Sequence, residues 1–440
     1  MKAQSDNSRS PLVRLVLLFL ALFLCAPIAF ADGDEPEATE PEAPYVYVTN
    51  IVAQQRYPWN GLVDIDYTVV ASDTNADVWV TPQGFDNDMN VSMAPRALTG
   101  DGVNASVKPG PHRMTWDVST DYPNLATTSF TVKMSAITGG APYMVIDISG
   151  GVDAISYPIS YLSTIPEGGW SDEYKTTKIA LRLCPPGTFM MGSPADEVGH
   201  NAFGAETLHS VTLTKPFYIG VFEITQKQYE LITGTNPSQY KGDMRPVERV
   251  AYTTIRGSLN GNAWPTHNQV EADSFIGRIR SKANVLADLP TEAQWEYACR
   301  AGTGTALNSG KNITSTTSTC TNLAVVGRYS GNTSDGKGGY SQHTTVGCYQ
   351  PNAWGIFDMH GNVAEWCLDF YTYNLGGNSA TDPVGPSSGG RVMRGGGWTG
   401  TPGQANYCRS GTRGDSSFNT YPYDAYRYVW GFRLAVTPVE

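Results

Sequence analysis

Asn352-Ala353-Trp354-Gly355-Ile356-Phe357-Asp358-Met359-His360-Gly361-Asn362-Val363-Ala364-Glu365-Trp366 is the most informative run of this 440-residue chain. It sits among long Gly/Asn/Ser/Thr-rich stretches. Loops of that kind in a compact domain serve function or are held by cross-links and metals. Upstream of it, two local devices start helices. Thr225-Gln226-Lys227-Gln228 is a capping box, and its helix should run to about Thr233 and stop at Gly234. Thr291-Glu292-Ala293-Gln294 repeats the device and opens a helix carrying Trp295, Ala298 and Cys299, ending near Gly302. A third helix, about Ala272 to Lys282, places Phe275, Ile276 and Ile279 on one face.

Further toward the N-terminus the pattern changes. From Tyr45 to about Ala136 the chain alternates with a period of two: Val63, Ile65, Tyr67 and Val69 against Leu62, Asp64, Asp66 and Thr68, then Phe130, Val132 and Met134. Such alternation means half-buried strands. Residues 45–137 therefore read as an all-β sandwich of immunoglobulin or fibronectin-III type, without cysteine or clustered chemistry. Residues 138–175 read as a connector in which Met144, Ile146 and Ile148 could form one strand. Residues 32–44 are an acidic, Pro-rich linker. Ahead of it lies a secretory signal, residues 1–31. Lys2, Arg9 and Arg14 precede an apolar run from Leu15 to Cys25, too short to span a bilayer, and Ala29-Phe30-Ala31 is a cleavage site. Phe23 and Leu24 are bulky for a lipobox before Cys25. The expected location is exported: secreted, periplasmic or at the cell surface, with no transmembrane segment in the mature chain.

Net charge is −11, concentrated at Asp32, Asp34, Glu35, Glu37, Glu40 and Glu42. No Lys/Arg-rich stripe exists, which argues against nucleic acid as a partner. Cleavage would leave Cys184, Cys299, Cys320, Cys348, Cys367 and Cys408. An even number in an exported chain favours disulfides, and six cysteines allow 15 connectivities. No C-x-x-C pair occurs. The six histidines (His112, His200, His209, His267, His343, His360) show no metal-binding spacing and read mostly as surface or loop residues.

The C-terminal motifs together resemble one family. Pro186 to Ser193 looks like its entry strand, and Lys215 to Thr225, with Glu223, like its "F-x-I-x-x-x-E-V-T" segment. Arg245-Pro246-Val247-Glu248, Leu289 to Ala298, the Asn352–Trp366 run, Arg394-Gly395-Gly396-Gly397-Trp398 and Gly431-Phe432-Arg433-Leu434 follow in the family's order. The segment 176–440 is identified as a member of the formylglycine-generating-enzyme (sulfatase-modifying factor) family. The implied fold is an α+β, C-type-lectin-like domain with much irregular structure. The implied reaction is oxidation of a sulfatase cysteine to formylglycine with O₂ and a copper ion on two thiolates, which suit Cu(I).

This sequence departs from the family where that chemistry resides. Counted from Trp398, the two thiolate positions are Gly400 and Ala405; the serine before the tryptophan is Gly397, and the tryptophan inside "G-N-V-W-E-W" is Ala364. Copper is therefore not expected. The resemblance implies that Cys408 pairs with Cys299. It also implies a calcium site at Asp358, Gly361, Val363 and Glu365, with oxygen donors that suit Ca²⁺. A second calcium site would use Asn322, Leu323, Asp335 and Lys337, with a spacing one residue shorter than in the enzymes. The favoured reading is a diverged non-oxidase, a binding or structural module whose ligand is a glycan or polypeptide. Exposed aromatics near Tyr421, Tyr423, Tyr426, Tyr428 and Trp430 are candidate contacts. The alternative is a working formylglycine-generating oxidase with a rearranged metal site.

Overall fold

Val63, Ile65, Tyr67 and Val69 fall on one strand, Leu62–Ala71, and all four are buried while the residues between them are partly exposed. The structure, a computed structural model, describes residues 46–438 except 58–60, 89–90, 202–204, 258–269, 334–341, 400–402, 416–428 and the single positions 94, 96, 104, 124, 126, 128, 139 and 318. The signal segment and acidic linker lie outside the described residues.

Residues 46–137 form two antiparallel sheets. One runs in the order Val46–Gln55, Leu62–Ala71, Gly110–Asp117, Leu98–Gly100; the other has Trp79–Asp86 between Val91–Met93 and Phe130–Ile137. Residues of both sheets share one apolar cluster around Trp116, whose indole N–H donates to Asp121 at 2.7 Å.

The rest is mixed α+β, mostly strands with a few short helices. A six-stranded sheet takes the order Leu286–Asp288, Ala435–Thr437, Phe217–Gly220, Lys178–Cys184, Tyr143–Asp147, Ile159–Leu162. Its last two strands come from the 138–175 stretch, and Met144 and Ile146 pair with Leu181 and Ile179. Against it pack three helices whose starts follow local chemistry. Gln226–Thr233 opens on a complete Thr225/Gln228 capping box and stops at Gly234, in the left-handed region at φ 80°. Glu292–Arg300 opens on the Thr291/Gln294 box. Phe275–Ala283 is capped by Ser274, and Phe275, Ile276 and Ile279 are fully buried. A four-stranded sheet, ordered Gly414–Asp415, Arg391–Arg394, Ala364–Phe370, Trp430–Gly431, carries the later motifs. Among the described residues no helix is long and apolar enough to cross a membrane.

Candidate functional site

The Asn352–Trp366 run turns sharply twice on non-glycine residues: Asp358 has φ 56° and Asn362 φ 57°. Those turns bring Asp358 inward, 2% exposed, beside the fully buried Glu223 and Glu365. Asp358 Oδ2 accepts from the Gly347 amide at 2.6 Å, while Oδ1 has no hydrogen-bond partner. Burial raises the Asp358 carboxyl to about 6, against a lowering by the Gly347 amide and Arg433. Glu223 is pushed well up by burial and then by the charge of Asp358. A buried carboxylate oxygen left without a donor is costly.

The four residues of the first expected calcium set are distributed unevenly around this point. Glu365 is not an open ligand. Arg433 Nε and Nη2 each reach it at 2.6 Å, and the Trp295 indole donates to it at 2.7 Å. Glu223, quoted in the sequence only as part of a strand motif, is more available. It accepts once on each oxygen, from the Val363 amide at 3.0 Å and the Asn362 amide group at 2.6 Å. Gly361 pairs with Arg328 in a short parallel ladder. Asp358 and Glu223 are neighbouring buried carboxylates, with Gly361 and Val363 on the same loop as Asp358, while Glu365 is held by Arg433. Among the described residues no trio of His, Cys, Asp or Glu is arranged to hold a metal.

For the second set, Asn322 donates to the Asn312 carbonyl at 2.9 Å, and the Leu323 carbonyl accepts from Gly327 at the end of helix Thr321–Val326. Asp335 and Lys337 lie outside the described residues.

Neither position that the family resemblance assigns to the thiolates carries a thiol. Gly400 lies outside the described residues and has no side chain to give. Ala405 is fully buried in an apolar cluster with Ala306, Leu307 and Ile313. A side-chain carbon built at Gly397 would meet Val429 at 3.3 Å and the Ala364 nitrogen at 3.9 Å. The aromatic run 421–428 is outside the described residues; Trp430 is buried at 7% exposure, stacked edge-on against Trp366.

The Cys299 thiol donates to Ser410 Oγ at 3.5 Å, and the Cys408 thiol donates to the Gly397 carbonyl at 3.9 Å. The histidines are more internal than expected: His209, His343 and His360 are buried. His360 Nδ1 donates to the Cys408 carbonyl at 2.7 Å and Nε2 accepts from the Asn308 amide at 3.0 Å. Burial lowers its pKa to about 4.

Residues 171–438 match the family described as "Sulfatase-modifying factor enzyme 1-like domain". The chain is 33% identical over 218 residues to "Chaperone protein LppX" of Paenibacillus barcinonensis, covering 43% of this chain and 71% of that one. It is 28% identical over 271 residues to the formylglycine-generating enzyme of Streptomyces coelicolor, covering 52% and 82%. The structure of PvdO from Pseudomonas aeruginosa aligns at TM-score 0.44 with 26% identity, over 59% of this chain and 94% of that one. By its matched segment, its motifs and the buried network they build, this chain belongs to the sulfatase-modifying factor enzyme 1-like family.

Proposed function

We propose that this chain is an exported, non-oxidase member of the family, a binding or structural module that presents loops from a calcium-stabilised, lectin-like scaffold. The observation that carries this is Ala405: a methyl group in an apolar cluster stands where the family's second thiolate would be. A two-thiolate copper centre needs both sulfurs, since soft thiolates are what select Cu(I). Calcium would be held by Asp358 and Glu223 with the carbonyls of Gly361 and Val363. It would supply charge balance and rigidity to the turn rather than reaction chemistry. The sheets of residues 46–137 would act as an immunoglobulin- or fibronectin-III-type spacer before the rest of the chain, whose six-stranded sheet takes in Tyr143–Asp147 and Ile159–Leu162. A polypeptide ligand is favoured over a glycan by the relative named as a chaperone protein.

Copper retention tests the reading. After loading with Cu(I) under reductant and desalting, elemental analysis should find copper well below one equivalent, while the Streptomyces coelicolor relative treated alike retains it. Stoichiometric copper on this chain would overturn the proposal.

A further inference from the structure

The Cys408 thiol lies in the same buried cluster as a second one. Cys320 and Cys408 belong to the same apolar cluster, together with Tyr329, and are 1% and 0% exposed. Their segments are joined by backbone hydrogen bonds: the Ala405 amide donates to the Thr317 carbonyl at 3.0 Å and the Asn406 amide to the Thr316 carbonyl at 3.3 Å. Tyr329 clamps the Cys320 backbone, its hydroxyl accepting from the Cys320 amide at 2.7 Å and donating to the Cys320 carbonyl at 3.0 Å. The Cys320 sulfur is also an acceptor. The Thr314 amide reaches it at 3.4 Å and the Thr314 hydroxyl at 3.6 Å. Donors aimed at a sulfur stabilise its thiolate, the form that attacks disulfides. Cys299, the partner implied by the family resemblance, is instead occupied with Ser410.

We propose that Cys320 and Cys408 form a disulfide that locks the 314–320 loop to the Ala405–Cys408 turn when the chain folds in the presence of a disulfide oxidant. The Cys320 thiolate attacks one sulfur of the oxidant, a small-molecule disulfide or a disulfide-bearing oxidoreductase, and releases one thiol. The Cys408 thiolate then attacks the Cys320 sulfur and releases the second thiol. The cysteine pair loses two protons and two electrons, and the oxidant disulfide becomes two thiols. The bond closes a loop of roughly 90 residues, long enough for a substantial loss of unfolded-state entropy. It also lies in the interior, where reductants have poor access. It would thus restrain by covalent means the same segment that carries the copper ligands in the family's oxidases.

The test is a peptide map of the full chain, folded with oxidised glutathione, alkylated without reduction and digested. A linked pair of peptides containing Cys320 and Cys408 is expected. Their alkylation as free thiols, or a Cys299–Cys408 link, would overturn the proposal. Thermal unfolding gives an independent readout. Oxidation should raise Tm on the order of 10 °C over the reduced protein. That gain should vanish in C320S and in C408S and persist in C348S, whose cysteine is exposed. A gain that survives in C320S would refute the link even if the map failed.

Discussion

Replacing Arg394 with methionine should cost roughly 3–5 kcal/mol of stability. The side chain is buried at 1% exposure. Its Nη2 pairs with Glu296, its Nε lies 3.0 Å from Glu292, and its Nη1 donates to the Ser410 and Thr412 carbonyls, both at 2.8 Å. Glu292 and Glu296 sit one turn apart on the same helix, both buried, so each needs a cation. Arg413 holds Glu292 at 2.5 and 2.7 Å, and Arg300 holds Glu296 at 2.9 Å. Arg394 bridges the two. Its loss leaves buried negative charge undercompensated and two carbonyls without donors, which breaks a buried pair at a cost of roughly 3–5 kcal/mol. For a domain of this size that is a Tm loss on the order of 10 °C. Differential scanning calorimetry on R394M, E296Q and the double variant reads it. The double variant should lose less than the sum of the singles, because each single removes part of the same interaction. R394M within about 1 °C of the parent would refute the reasoning, since ordinary surface changes are that small.

Other expectations follow from the same geometry. Calcium at saturating concentration should raise Tm by about 5–10 °C, EDTA should reverse it, and D358A should abolish it, as binding to the folded state alone contributes about 3 kcal/mol at a hundredfold excess over Kd; an equal rise in D358A would remove Asp358 from the site. Burial raises the Asp369 carboxyl to about 7, from an unfolded value near 4. The folded state therefore holds the proton more tightly, and this group's contribution to stability falls as pH rises from about 4 through 7; urea midpoints should show that slope weakened in D369N. The Thr291 cap, with its hydroxyl 3.1 Å from the Gln294 amide, should cost about 1 kcal/mol on T291A, measured by urea denaturation.

What could be read from the sequence divides by distance along the chain. Thr225/Gln228 and Thr291/Gln294 are contacts across three residues, so both helix starts were legible, as was the alternation of Val63 to Val69. The motif order identified the family because each motif is short and self-contained. The cation environment was only half legible. Asp358 was visible as a carboxylate in a turn, but its neighbour Glu223 is brought in from a strand motif far upstream, through bonds to Asn362 and Val363. Arg433 takes Glu365 from 68 residues away, and no local spacing announces that.

On the proposed reading, the family's oxidase chemistry is absent from this chain. This is tested most directly by incubating the mature protein with Cu(I), O₂, a reductant and a peptide containing Cys-x-Pro-x-Arg, with a family enzyme bearing the cysteine pair run in parallel. Mass spectrometry should find the peptide cysteine unchanged by this chain and converted to the aldehyde by the other enzyme. Conversion by this chain would contradict the account and send the search for a new copper ligand to Cys408.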